Sequence, residues 1–306
     1  MLSPFLLRQR SSFLQAVRKF FLQRDYLEVD TPIRLPALIP EATLLPFPSA
    51  GHFLQTSPEI CMKRLLASGN RRLFQLCHCF RREEEGRYHL PEFSMLEWYR
   101  SGWTYRQLME ECEEFVRRLA TENSWAAVQE NIPSLVFGRH RISLAPPWPR
   151  LTLEDAFGRY GGTSVAAALE QDCFDRLLVE KIEPHLGFDR PVFLMDYPVQ
   201  RASLARCKAD NPAVAERFEL YIGGIEVANG FTELTDAAEQ RRRFEREQEL
   251  SRGQGNDFGP LPEKFLADLE RLSPCAGIAM GLDRLFMLLI GAERVAEAVS
   301  FAPDDL

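Results

Sequence analysis

Apolar residues recur at helical spacing over residues 6–24, at Leu6, Phe13, Leu14, Val17, Phe20 and Phe21, and predict a helix with one apolar face. Tyr26 to Thr31 reads as a short strand stopped by Pro32. Ser57, Pro58 and Glu59 have the residue types of a helix start, and Ile60, Met62, Leu65 and Leu66 continue it. Residues 72–80 and 91–99 read as two strands joined by a charged loop. Thr104 with Gln107 resembles a capping box, and Leu108, Cys112, Phe115 and Leu119 form the stripe of the helix behind it. Residues 121–150 are weakly patterned and read as a candidate linker, 151–186 as helical. Strands return at 191–197, 214–221 and 224–231, the last two joined at Gly223 and Gly224 as a hairpin. Residues 236–252 predict a solvated charged helix and 282–290 an apolar one. Hairpins among interleaved helices argue for an α+β fold on an antiparallel sheet rather than a doubly wound parallel one.

Composition narrows this picture only a little. Hydrophobic residues make up 45% and charged residues 26% of the chain, which excludes disordered, collagen-like and small disulfide-stapled classes. At about 150 residues per domain, 306 residues suggest two domains. The net charge, 37 − 44 = −7, lacks the basic excess of a non-specific nucleic-acid binder. Seven cysteines without a Cys-x-x-Cys pair fit reduced thiols in a cytoplasm. No run of 18 apolar residues spans a membrane, and the short apolar start is interrupted by Arg8 and Arg10. Cys77, His78 and Cys79 form no metal site by pattern, because strand alternation points His78 away from the two thiols.

Candidate chemistry concentrates in three blocks. In residues 72–100, Arg81, Arg82, Glu83, Glu84, Glu85, Arg87 and His89 crowd a hairpin tip. Beside it, Glu92, Glu97 and Tyr99 interrupt an apolar strand, where a carboxylate is costly to bury unless paired. Alternation puts Phe93, Met95, Glu97 and Tyr99 on one face, a combination suited to an amine-bearing ligand. In residues 215–234, Glu219, Glu226 and Glu233 recur every seven. Folding at Gly223 and Gly224 would bring Glu219 and Glu226 close, and two carboxylates beside a phosphate suit Mg²⁺. In residues 275–289, Gly277 and Gly281 permit close backbone approach, and Asp283 and Arg284 open an apolar helix where the arginine needs an anionic partner, Asp283 or a phosphate. Neither a P-loop nor a dinucleotide-binding glycine pattern occurs, so any ATP must be held by arginines and Mg²⁺.

Taken in order, "FFLQRDYLEVDTP", "FRREEEGRYHLPEFSMLEWY" and "GIAMGLDRLFML" resemble the three motifs of a class II aminoacyl-tRNA synthetase catalytic domain. "TSPEICMKRLL" and "GGIEVANGFTEL" are similar to the lysyl subclass, and the resemblance covers about residues 10–303. It implies a single catalytic domain over 1–306, which replaces the two-domain expectation, with no room for an anticodon-binding barrel. The chain therefore most resembles the truncated lysyl-tRNA synthetase paralogues that modify elongation factor P. These activate (R)-β-lysine, or lysine, with ATP and transfer it to the ε-amino group of a lysine on that protein.

The resemblance implies roles. Arg81 and Arg284 would be catalytic: Arg81 on the α-phosphate, Arg284 with His89 on the β- and γ-phosphates. Glu83 would contact adenine and Phe93 stack on it, with Arg82, Leu90, Val227 and Gly281 completing the ATP set. Glu219 and Glu226 would hold Mg²⁺. Glu233 and Tyr99 would bind the distal ammonium of the substrate, Glu59 and Glu97 its other amino group. Ser57, Pro58, Asn229, Phe231 and Ala279 would complete that pocket. Two positions depart from the lysyl pattern: Leu90 stands where asparagine is usual, which removes a side-chain contact to ATP, and Ala279 where lysyl synthetases have glycine. The first motif implies a homodimer; tRNA binding and membrane attachment are not expected. Two other readings are an enzyme that aminoacylates an RNA and a synthetase-like protein that only binds.

Overall fold

The computed structural model describes residues 1–122, 125–129, 132–256 and 259–306. Its central sheet uses β1 (Leu27–Glu28), β2 (Arg72–Phe80), β3 (Glu92–Ser101), β4 (Arg150–Thr152), β5 (Val192–Pro198), β6 (Val214–Ile222), β7 (Ile225–Thr232) and β8 (Cys275–Gly281). In space the order is β1-β2-β3-β8-β7-β6-β5-β4. Only the two edge pairs, β1 with β2 and β4 with β5, run parallel; every inner pair is antiparallel. The helices that matter for the site are α1 (Pro4–Leu22), α2 (Glu59–Ala67), α3 (Tyr105–Glu122), α4 (Ala237–Gly253), α5 (Glu263–Leu269) and α6 (Leu282–Leu289).

Strand alternation sorts the sheet into two chemically different faces. Leu96 and Trp98 on β3, Ile278 and Met280 on β8, and Phe218 and Leu220 on β6 point to the main core. α1, α3 and α6 cover that face: Phe21 stacks on Phe74 with ring centroids 5.0 Å apart and leans on Phe115 at 5.3 Å. The opposite face carries Glu97, Tyr99, Glu219 and Glu226, and its far end is closed by a second cluster drawn from α2, α4 and α5. Polar groups can therefore be buried on one face because the other supplies the apolar burial that holds the sheet.

Several expected boundaries shift. The first helix begins at Pro4 because Ser3 accepts from the Leu6 N–H at 3.3 Å and caps it. α2 begins at Glu59, where the Ser57 hydroxyl accepts the Glu59 N–H at 3.0 Å. Gln107 accepts the Thr104 N–H at 2.9 Å, as the capping pattern predicts. The expected linker at 121–150 instead carries three strands, Ala127–Gln129, Ile132–Phe137 and His140–Ser143, whose Leu135, Phe137 and Ile142 enter the main core; residues 123, 124, 130 and 131 of that segment lie outside the described ones. The expected solvated helix is solvated on one side only, since α4 buries Gln240, Phe244, Gln248 and Ser251. Charge alone hid that face, because a single Phe among arginines and glutamates carries little periodic signal. Among the described residues, no helix is long and apolar enough to cross a membrane.

Candidate active site

The site is a row of side chains across the sheet. Register places Glu219 opposite Asn229, Asn229 opposite Ala279, Ala279 opposite Glu97, and Glu97 opposite Gln75. The next row runs Arg217, Phe231, Gly277, Tyr99 and Leu73. The expected closeness of Glu219 and Glu226 is diagonal rather than direct. Tyr221 faces Glu226, then the register shifts so that Leu220 faces Ala228 and Val227 is the extra residue of a bulge. The bulge puts Asn229 and Phe231 on the face that already holds Glu226, across an odd separation that regular alternation forbids. Gly223 and Gly224, at φ +60° and +78°, supply the tight turn that sets this register.

At one end of the row three carboxylates and a lysine lie together, Glu97, Glu233 and Lys63 buried and Glu59 half-buried. Glu97 accepts from Ser57 Oγ at 2.5 Å and from the Tyr99 hydroxyl at 2.8 Å. Lys63 bridges Glu59 and Glu233 and lies 5.2 Å from the Phe231 ring centroid. Burial pushes Glu97 up to about 7, with Glu59 repelling it, and pushes Glu233 up to about 8 against the pull of Lys63. Burial works against the Lys63 charge, but Glu233 and Glu59 outweigh it and hold the ammonium above its ordinary range. Glu233 Oε1 has no hydrogen-bond partner. Gly277 is required here: a Cβ would lie 2.2 Å from the Tyr99 ring and 2.5 Å from Glu233 Oε1. Gly277→Ala is therefore expected to cost about 1–3 kcal/mol of stability and to displace Tyr99 or Glu233, read as a lower Tm with a raised KM for the amino acid.

At the other end, cationic groups converge. Arg81 lies 5.2 Å from the Phe93 ring centroid and 3.6 Å from Glu84, and its buried Nε has no partner. Arg284 donates to the carbonyls of Tyr88 at 3.0 Å and Glu226 at 2.8 Å, and its guanidinium is 3.7 Å from the Glu226 carboxylate. Burial, with Arg284 and Arg81 nearby, pushes His89 down. Arg82 and Glu83 stand at the exposed rim, 3.6 Å apart, and the Arg82 N–H bonds the Leu45 carbonyl at 2.7 Å. Gly281 opens α6, and a Cβ there would find Arg284 nearest, at 3.6 Å, an ordinary contact.

The carboxylate pair has an asymmetry. Glu219 accepts from Tyr197 at 2.5 Å, Tyr221 at 2.7 Å and Arg217 at 2.7 Å. Glu226 has Arg284 at 3.7 Å and Arg217 farther off, and burial and then Glu219 push it up to about 7. Two adjacent carboxylates, one of which accepts no hydrogen bond from a neighbouring side chain, fit a divalent cation that also takes phosphate oxygens.

Three side chains in these motifs turn away from the site. Leu90 is 8% exposed and packs its side chain into the main core. Val227 is 2% exposed and buried on the opposite face, so only its backbone is near the site. Asp283 does not pair with Arg284; it accepts from Arg10 at 2.5 Å and from the Ser94 N–H at 2.7 Å, which ties α6 to α1 and β3. Of the other expected residues, Pro58 sits at the head of α2, and Asn229 accepts from Arg217 Nε at 3.2 Å.

Four site residues carry too little pattern to stand out in the sequence: Lys63, Arg217, Glu41 and Gln75. Lys63 had a visible signal, the i,i+4 spacing from Glu59 on α2. Arg217 had one too, as it alternates with Glu219 on β6. Glu41, whose carboxylate accepts from Ser203 at 2.8 Å and is pushed up by burial and by Glu59, lies in a loop without periodicity and had none.

A synthetase motif order, a mostly antiparallel sheet and a polar sheet face with separate cationic and acidic ends point to one class of protein. The chain belongs to the class II tRNA synthetase family: the model of tRNA synthetases class II (D, K and N) matches residues 5–305. Relatives within it carry a more particular name. A protein of Edwardsiella ictaluri named elongation factor P–(R)-β-lysine ligase is 40% identical over 313 residues, covering 97% of this chain and 95% of that one. Proteins of the same name from Pectobacterium carotovorum and Salmonella arizonae are each 39% identical, covering 97% and 98% of this chain and 94% and 95% of theirs.

Proposed function

We infer that this protein is an ATP-dependent ligase that activates (R)-β-lysine as its adenylate and transfers it to a lysine ε-amino group of elongation factor P. The observation that carries the reading is the split pocket, with Arg81, His89 and Arg284 at one end and Glu59, Glu97 and Glu233 at the other. An amino acid with two ammonium groups fits the acidic end, and its carboxylate then points toward the cationic one. In the first step that carboxylate attacks the α-phosphorus of ATP, the bond to the β-phosphate breaks and pyrophosphate leaves. Arg81, with its unpartnered Nε, would take the charge that builds on the α-phosphate, and His89 and Arg284 would hold the leaving phosphates. Phe93, beneath Arg81, would offer its face to adenine, with Glu83 at its edge and Gly281 leaving room beside Arg284. Glu226 with Glu219 would hold Mg²⁺, which when bound offsets phosphate charge. In the second step the acceptor amine attacks the carbonyl of the mixed anhydride, AMP leaves and one proton is released. No enzyme nucleophile is needed, because positioning and electrostatics suffice.

The protein would act in the cytoplasm, as one catalytic domain and as a homodimer through the first-motif segment, with no tRNA partner. Mass analysis of elongation factor P after incubation with ATP and each lysine isomer tests the reading. The expected result is a gain of one lysyl unit, favoured by the β-isomer. Labelling of tRNA instead would support the RNA-aminoacylating alternative, and no pyrophosphate exchange with any isomer would support a binder.

Two further outcomes are expected. Ala279, between Asn229 and Glu97, adds a methyl to the pocket floor. Ala279→Gly should shift the β- to α-lysine ratio of kcat/KM toward α-lysine by about tenfold or more; an unchanged ratio would sink the idea. The pH dependence follows from the raised carboxylates. Below about 8 for Glu233 and about 7 for Glu97 the free protein takes up protons there and attracts ammonium less. kcat/KM for the amino acid should therefore fall as pH is lowered from about 8.5 to about 6.5. The stability effect has the opposite sign. A group raised above its ordinary 4.5 favours the folded state at low pH, so this contribution is lost as pH rises through 7 and 8.

A further inference from the structure

Lys63 is a charged side chain with no place in the chemistry above, yet it is 1% exposed at the centre of the acidic end. A buried ammonium persists only when paired, and here two carboxylates pair with it. The helix of α2 carries it to them: Glu59 and Lys63 are one turn apart, so the same face presents both. Glu233 arrives from the end of β7, held by its backbone N–H to the Cys275 carbonyl at 2.9 Å. Lys63 ties Oε1 of Glu59 and Oε2 of Glu233, and Oε1 of Glu233 is left buried without a partner. Phe231 walls the ammonium on one side. With all three carboxylates ionised, as a bound diammonium ligand would favour, Glu59, Glu97 and Glu233 carry three formal negative charges and Lys63 one positive. The remainder is two, the number of ammonium groups in a diamino acid. Glu41, the next carboxylate out, feels Glu59 but is bonded to Ser203 and has Arg81 and Arg217 as its own cations.

We propose that Lys63 is a positioning and specificity-determining residue: it fixes Glu59 and Glu233 so that the free oxygen of Glu233 faces the substrate's ammonium, and it sets the charge of that wall to match two amino groups. The proposal rests on reading the site as one for a diamino acid.

The test is amino-acid-dependent ATP–pyrophosphate exchange, with thermal unfolding of wild type and variants in parallel. Lys63→Met should raise KM for β-lysine about 10²-fold while kcat changes far less, since the phosphate end is untouched. Lys63→Arg, which keeps the charge, should retain most of the binding, and it is the variant to measure if Lys63→Met does not fold. In Lys63→Ala, added n-propylammonium should bring KM back toward wild type by occupying the vacated volume. A scaffold role alone would lower Tm and the number of titratable active sites, leave KM in place and show no rescue; that result overturns the proposal. Wild-type protein heated with each lysine isomer separates this idea from the ligase reading. A Tm gain without any exchange retires the ligase and keeps the diamino-acid subsite. No Tm gain from either isomer overturns the subsite and the role of Lys63 with it.

Discussion

Arg81→Ala is expected to reduce amino-acid-dependent pyrophosphate exchange by about 10²–10³-fold in kcat. The reason is geometric. The Arg81 backbone is pinned by its N–H to the Pro91 carbonyl at 2.9 Å, and its guanidinium is steadied over Phe93. Its nearest carboxylate, Glu84, is at 3.6 Å, too long for a hydrogen bond, and Nε has no partner. A buried donor held ready in this way costs no reorganisation when charge develops on a phosphate. Arg81→Lys should recover little, because a point charge cannot replace the planar fork. The substitution gives up the contact with Phe93 and a long ion pair with Glu84 but breaks no hydrogen bond of the guanidinium, so Tm should move far less than kcat. A large fall in Tm together with an unchanged kcat would place Arg81 in the scaffold.

Glu233→Gln should be the most damaging change at the acidic end. Glu233 is 1% exposed, so its charge is felt at low dielectric by both Lys63 and an incoming ammonium. Neutralising it leaves Lys63 with Glu59 alone, which should cost on the order of 3 kcal/mol of stability. The same change should raise KM for the diamino acid by about 10²-fold, while a monoamino analogue lacking the distal amine loses much less. The upper part of the pH profile should disappear with it, because the group raised to about 8 is the one removed. Equal losses for both amino acids would show that Glu233 shapes the pocket without reading the amine.

Much of the site is legible in the order of residues along the chain. Alternation on β3 puts Glu97 and Tyr99 on one face with Phe93, and the register with β8 keeps them together. The Gly223 and Gly224 turn is visible as a residue pair, and it forms as a tight turn. What alternation cannot show is the bulge at Val227, where one extra residue reverses the facing of everything after it. Without that bulge, Asn229, Phe231 and Glu233 would fall on the wrong side from Glu226.

The sequence alone determined the chemical inventory and the local elements, because residue type and periodicity act over one strand or one helical turn. It also determined the family, through three motifs in order. The tertiary structure decided which charges meet. Lys63 reaches Glu233 from 170 residues away along the chain, Asp283 turns to Arg10 rather than to its neighbour Arg284, and Glu219 is claimed by Tyr197, Tyr221 and Arg217. These partnerships depend on strand order and register, and a buried charge takes whatever partner the packing brings within reach.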